Sequence, residues 1–150
     1  MNPQLLLTSL REQDGNFDNL IDVLEAKKRA IVQNDNDALE QAIKEEQKIL
    51  KNIEREESNR LKIIKEIAGL YSLELPTASM DNLLEQGKDY FDKERSELEK
   101  IRASINVKIG RVTQINSQLR DIIDFSRSMI KETVALLIGP NQHSLVNKRV

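Results

Sequence analysis

The last third of the chain decides the fold, in the stretch KDYFDKERSELEKIRASINVKIGRVTQINSQLRDIIDFSRSMIKETVALLI from Lys88 to Ile138. No Pro interrupts it, and its apolar residues recur in steps typical of one helix face. These positions are Phe91, Leu98, Ile101, Ile105, Ile109, Val112, Ile115, Leu119, Ile122, Ile123, Ile130, Val134 and Leu137. We predict a helix of roughly 75 Å if it is continuous. Gly110 is the place where it could bend, and Gly139-Pro140 is a strong stop.

Two further helices are predicted upstream. The first runs from Pro3 to about Gln33, because Pro suits a first-turn position and apolar residues again recur at helical spacing. Those residues are Leu6, Leu10, Phe17, Leu20, Leu24 and Ile31. The run Asn34 to Asp37 predicts a turn, with Asp37 and Glu40 placed as a capping pair for the second helix.

The second helix has a weaker apolar seam than its neighbours. It carries Leu39, Ile43, Leu50, Ile53, Ile64, Ile67 and Tyr71, but Glu46, Glu57 and Arg60 fall at core-like positions. Gly69 and the segment 73–77 are expected to end it, and a short connector helix is expected from Ser79 to Gln86. The predicted fold is all-α: an antiparallel bundle of three long helices with this connector, the last helix being the longest. Residues 1–138 would form one domain and 139–150 a disordered tail.

The composition argues against an enzyme. The chain has 32% charged and 3% aromatic residues, no Cys and a single His143, so thiolate metal sites and His-rich sites are excluded. No phosphate-binding glycine loop, nucleophile elbow or Glu-x-x-His pair is present, and we therefore predict no catalytic residue, no metal site and no cofactor. A net charge of −2 gives no general attraction to nucleic acid. No apolar run reaches the roughly 18 residues of a membrane span, so a cytoplasmic protein is expected.

The apolar residues near the C-terminus outnumber the core positions that a bundle of this size offers. If the last helix is about half as long again as its partners, part of its apolar stripe lies outside the core. Exposure of each large side chain there would cost roughly 1.5 kcal/mol or more. The segment from Ile122 to Ile138 is therefore expected to bind a protein partner or a second copy of the chain. Its apolar residues are Ile122, Ile123, Met129, Ile130, Val134, Leu136, Leu137 and Ile138. The sparse aromatic residues, Phe125 among them, are expected to fill core positions.

Two groups of residues resemble the FlgN family of flagellar export chaperones. The first is Phe17-x-x-Leu20-x-x-Val23-Leu24-Glu25-x-Lys27-Lys28-x-Ala30-Ile31-Val32, followed by an Asp-rich turn and a Glu-rich helix with Glu45, Glu46, Leu50, Ile53, Glu56 and Arg60. The second is Asn116-x-x-Leu119-x-x-Ile122-Ile123-x-x-Ser126, in which Leu119 stands where the family usually has a second Asn. Together these patterns cover most of the chain.

The resemblance implies a cytosolic chaperone that binds the amphipathic C-terminal helix of hook-filament junction (hook-associated) proteins before type III secretion. It places partner binding in the last helix, where we expect the residues Asn116, Leu119, Ile122, Ile123, Ser126, Met129, Ile130, Val134 and Leu137 to take part. Arg120, Arg127 and Lys131 would set the register against acidic residues of the client. A contact with the flagellar export apparatus and a homodimer of the free protein stay open.

Two other functions compete with this interpretation. A self-associating coiled-coil scaffold would also use long amphipathic helices, but Glu46, Glu57 and Arg60 interrupt the second helix too often for a long rod. A nucleic-acid-binding protein is suggested by Lys108, Arg111 and the later basic residues, although these are spread around the helix and the net charge is acidic.

Overall fold

The computed structural model describes residues 3–72, 83–85 and 93–138, and these residues contain helices and turns but no strand. The prediction of an all-α protein is confirmed. Three long helices are present: α1 (Pro3–Val32, 30 residues), α2 (Asn36–Leu70, 35 residues) and α3 (Arg95–Ile138, 44 residues). The last helix is the longest, as predicted. Residues 83–85 are also helical, and the remainder of the predicted connector lies outside the described residues.

The turn between α1 and α2 is tight because backbone N–H groups just after α1 donate to carbonyl groups of its last turn. Asn34 adopts a left-handed conformation with φ of 56°. The Asp35 N–H donates to the Ala30 carbonyl at 2.9 Å, and the Asn34 N–H donates to the Ile31 carbonyl at 3.2 Å. This pair of bonds is the Schellman arrangement that ends many helices.

The cap of α2 differs from the prediction. Asp35, not Asp37, has the extended backbone of a cap residue, and its carboxylate accepts from the Ala38 N–H at 3.1 Å. The prediction of Asp37 as the cap was wrong because the Schellman turn is complete at Asn34, so the next residue already begins the new helix. At the other end, α2 continues through Gly69 to Leu70, and Ser72 takes the left-handed conformation.

The start of α3 also needs correction. Lys93 and Glu94 lie in a turn, and the helix begins at Arg95, seven residues after the predicted start at Lys88. Residues 86–92 lie outside the described part of the chain. From Arg95 to Ile138 the helix is continuous, including at Gly110.

By compactness the chain divides into two units, Met1–Ile115 and Asn116–Val150. The first unit holds the main core, which draws on the start of α1, the end of α2, residues 83–84 and the start of α3. Its buried residues are Leu6, Leu7, Leu10, Ile63, Ile64, Ile67, Leu83, Leu84, Leu98 and Ile105. Phe17, Tyr71 and Ile101 pack against this cluster.

The first half of α2 contributes less to this core than its sequence suggested. Ile43 and Leu50 were predicted on the seam but are 36% and 43% exposed. At this end of the helices Leu24 and Ala42 are buried, and α1 and α2 also make a polar contact, in which the Lys27 ammonium donates to the Glu46 carboxylate at 2.9 Å. The polar positions expected to weaken the seam are therefore accommodated by ion pairs, and Glu57 likewise pairs with Arg60.

Side-chain hydrogen bonds within the first unit link α1 to α2 and α1 to α3, and their sequence separations follow two different trends. Between α1 and α2, Ser9 donates to Glu56, Gln13 to the Ile53 carbonyl and Lys27 to Glu46, so the sequence separation falls from 47 to 19 toward the turn. Between α1 and α3 the bonds instead keep a nearly constant separation of 86 to 90 residues. They join Arg11 to Glu97, Asp14 to Ser104, Asp18 to Lys108 and Glu25 to Arg111.

Candidate partner-binding surface

The second unit presents a row of exposed apolar side chains on α3. Five of its large apolar residues are more than 40% exposed, although side chains of this type are normally buried. The exposed fractions are Phe125 68%, Met129 48%, Ile130 63%, Leu136 86% and Leu137 81%, with Ile123 at 38%. A run of this kind on one segment is typical of a surface that binds another protein.

Most of the apolar side chains between Leu119 and Leu137 share one half of the helix circumference, whereas Ala135 and the terminal Ile138 lie on the other half. With about 100° between successive residues, the shared half is an arc of about 180° that we call the apolar arc. In angular order it contains Phe125, Leu136, Met129, Ile122, Thr133, Ser126, Leu119, Leu137, Ile130, Ile123 and Val134. The opposite half carries the charged residues, so the segment is strongly amphipathic.

The nine predicted partner-binding residues all fall on this half of α3, with Asn116 level with Val134. Asn116, Ser126, Ile123, Met129, Ile130 and Leu137 are exposed, and Ile122 and Val134 are half-buried. Leu119 is buried, at 5% exposure. Their role in binding stays a prediction; they share one half of the helix, and all but Leu119 are at least partly exposed.

Two residues of this surface were not among those predicted. Phe125 was interpreted as a core residue, which was wrong, because its ring is more exposed than any other aromatic side chain among the described residues. Leu136 was recognised as apolar but not placed in the site. The signal that could have found both is their spacing: Ile122, Phe125, Met129 and Leu136 follow one another by three, four and seven residues, which aligns them on a helix.

Three basic residues lie along one side of the apolar arc. Arg120, Arg127 and Lys131 are exposed and lie next to Val134 in angular order. None of them forms an ion pair with another residue in the described ranges. They are therefore available to meet acidic groups of a partner.

The earlier basic residues of α3 have a different environment. The Lys108 ammonium lies 2.9 Å from the Asp14 carboxylate and 3.0 Å from the Asp18 carboxylate, and Arg111 pairs with Glu25. Burial alone would lower the pKa of Lys108, but its hydrogen bonds to Asp14 and Asp18, together with their charges, outweigh that effect and raise the pKa. These contacts join α1 to α3, so the charges of Lys108 and Arg111 are already paired within the chain.

The first unit contains a concave site of its own. It is a groove of about 470 Å³ with apolar walls and a polar part formed by Gln13, Glu57, Arg60, Arg102 and Asn106. The buried Nε of Arg60 has no hydrogen-bond partner among the described residues. The Arg60 guanidinium also forms an ion pair with Glu57, so its positive charge in the groove is partly neutralised.

The described residues contain no group of three or more His, Cys, Asp or Glu residues arranged to hold a metal ion. No helix within them combines the length and the apolar character that a membrane crossing requires.

An all-helical chain whose longest helix is amphipathic and leaves several large apolar side chains exposed near its end has the features of helical proteins that bind other proteins. Comparison with known families then identifies it: the family model described as FlgN protein matches residues 1–147, and the chain belongs to that family. The family suggests a flagellar export chaperone that binds flagellar substrate proteins, and it is not known as an enzyme family. No curated protein and no solved structure matches the chain.

Proposed function

We propose that this chain is a cytosolic chaperone that holds the amphipathic C-terminal helix of hook-filament junction proteins until they are secreted by the flagellar type III apparatus. Family membership supports the chaperone role. The observation that carries the finer proposal is the apolar arc, where Ile130 and Leu137 are 63% and 81% exposed. Covering such side chains with an apolar partner is favourable by roughly 25 cal/mol for each Å² removed from water.

The proposed mode of binding is the packing of one amphipathic helix along another. Ile123, Ile130 and Leu137 follow one another by seven residues, which is the spacing by which a helix presents apolar side chains to a partner helix. Arg120 and Arg127 are likewise seven residues apart and repeat at the same interval along the edge. A client helix with acidic residues beside its apolar stripe would match both repeats, and the charges would favour the correct register and fast association.

The first unit would form the folded core of the protein. We propose that α1, α2 and the part of α3 up to Ile115 form an antiparallel three-helix bundle. The falling separation of the α1–α2 bonds and the constant separation of the α1–α3 bonds support this arrangement. The bonds of Lys108 and Arg111 to α1 would fix the register of α3 within this bundle.

The proposal is tested with the double variant Ile123→Asp and Ile130→Asp. Titration calorimetry would measure binding to a purified hook-filament junction protein encoded in the same genome, with circular dichroism to verify helix content. Burial of two aspartates in place of two isoleucines is expected to weaken binding by about a hundredfold or more, since each lost anchor contributes about 1.5 kcal/mol or more. Val107→Asp is the matched control, because Val107 is also apolar and is 74% exposed in the first unit. Unchanged binding by a helical double variant would reject the proposed site.

A self-associating scaffold is the alternative, because the same exposed arc could pair with a second copy. Light scattering distinguishes the two: a one-to-one complex with the junction protein supports the chaperone. A stable oligomer that ignores the junction protein supports the scaffold.

A further inference from the structure

The apolar arc is wider than a single partner helix requires. A helix that packs against one neighbour needs a narrow seam of two positions in seven, whereas a helix in the core of a bundle shows a broader apolar face. The arc covers about half of the circumference of α3 between Leu119 and Leu137. Its width is typical of a helix that contacts two neighbours.

Two small polar residues divide this arc along its length. Ser126 and Thr133 lie near its middle, and the Thr133 hydroxyl donates to the Met129 carbonyl at 2.9 Å, so it is satisfied within the helix. On one side is the basic-side strip, which consists of Ile123, Ile130, Val134 and Leu137; Leu119 lies at the same angle but is buried. On the other is the acidic-side strip, which consists of Ile122, Phe125, Met129 and Leu136.

The two strips have edges of opposite charge. The basic-side strip borders Arg127, Arg120 and Lys131, as described above. The acidic-side strip borders Glu132 and Asp121, which follow Phe125 in angular order and are both exposed. No ion pair joins either carboxylate to another residue in the described ranges. Each strip thus has its own free charge for a partner to meet.

We propose that the apolar arc binds two amphipathic helices of one partner chain side by side, one on each strip. The helix on the basic-side strip carries acidic residues along its outer edge, and the helix on the acidic-side strip carries Lys or Arg along its outer edge. This inference rests on the proposed function, which makes the arc the client-binding face, and it adds a second client segment of opposite charge. Phe125 and Leu136, the two residues that sequence reasoning left out, become the anchors for that second segment.

A second copy of this chain fits the arc less well. In a two-fold antiparallel pair of these helices, equivalent edges meet, so that Arg120 and Arg127 would face the same residues of the other copy. Like charges placed opposite each other oppose association. A parallel pair would join unlike edges, but one added helix covers only one strip and leaves the other exposed.

The absence of Cys from the chain allows a direct test. Single variants Phe125→Cys and Ile130→Cys report on the two strips, and Val107→Cys, at a 74% exposed position of the first unit, is the control. The rate of alkylation by iodoacetamide is measured for each full-length variant, alone and with the junction protein at about ten times its Kd. We expect alkylation to slow about tenfold at both strip positions, since only the unbound fraction then reacts, and to be unchanged at Val107→Cys.

The possible results separate the two proposals. Slowing at Ile130→Cys without slowing at Phe125→Cys overturns the second segment and leaves the proposed function in place. Slowing at neither position overturns both. If Phe125→Cys is protected simply by raising the concentration of the chain alone, a second copy occupies the acidic-side strip and the inference is wrong. As a second measurement, Asp121→Lys together with Glu132→Lys should weaken binding about fivefold to tenfold, and unchanged affinity would contradict the predicted charge of the second segment.

Discussion

Replacing Lys108 by Met should destabilise the first unit in a way that depends on pH. The Lys108 side chain is only 20% exposed and lies between Asp14 and Asp18, whose side chains are 26% and 59% exposed. Met keeps most of the aliphatic stem and removes the ammonium. Asp14 would retain the hydrogen bond donated by the Ser104 hydroxyl at 2.9 Å but would lose its cation.

The expected magnitude lies between two limits. Exposed ion pairs contribute about 0.2–1 kcal/mol, whereas removal of one partner from a fully buried pair costs about 3–5 kcal/mol. The Lys108–Asp14 contact is mostly but not fully buried, and Asp18 is screened by solvent. We therefore expect a loss of about 1–2 kcal/mol in the free energy of unfolding near neutral pH.

The pH dependence follows from the raised pKa of Lys108. A lysine with a raised pKa in the folded state contributes stability that is fully present below its ordinary pKa and is lost as the pH rises through the folded value. The stability difference between the native chain and Lys108→Met should therefore be constant around neutral pH and shrink at strongly alkaline pH. Urea unfolding, monitored by circular dichroism at neutral and at strongly alkaline pH, measures this difference in stability.

The control is Lys108→Met combined with Asp14→Asn and Asp18→Asn, which also removes the carboxylates left without a cation. This triple variant should recover part of the lost stability, because no carboxylate then remains buried without a partner. The reasoning is refuted if Lys108→Met is as stable as the native chain at neutral pH. A deficit of the same size at alkaline pH would refute the assignment to the ammonium charge.

Two further predictions concern the helices themselves. Asp35→Ala removes the side chain that accepts from the Ala38 N–H, and it should destabilise the protein by about 0.5–2 kcal/mol in thermal unfolding, while Asp37→Ala should have a smaller effect because Asp37 is not the cap. Gly110→Ala should stabilise the protein by roughly 1 kcal/mol in urea unfolding, since nothing lies within 4 Å of the added Cβ and Ala favours a helix interior; a loss of stability would indicate that the helix needs the glycine.

The helices of this protein follow from local sequence, and so they were predictable. Helical spacing of apolar residues and the near absence of Gly and Pro predicted α1 and α2 to within one or two residues at most ends. The errors occurred where the backbone conformation, and not the spacing of apolar residues, sets the end of a helix. Asn34 can adopt a left-handed conformation at low cost, and this choice moved the cap from Asp37 to Asp35.

The candidate site was partly predictable for the same reason. The excess of apolar residues after Leu119 is a property of the sequence, so the segment could be proposed as a candidate before the structure was known. Phe125 was misassigned because an aromatic residue at helical spacing is compatible with a core as well as with an exposed face. Burial depends on what lies opposite a side chain, and no local pattern contains that information.

By itself, the sequence determined that the chain is helical, where its helices run and that its last helix is amphipathic, because these properties depend on residues three or four positions apart. Only the tertiary structure decided that Ile43 and Leu50 lie partly in solvent, that Lys108 is held by two carboxylates of α1, and that Phe125 and Leu136 are exposed near the end of α3. These outcomes depend on contacts between residues as many as 90 positions apart, and such contacts form only when the helices pack.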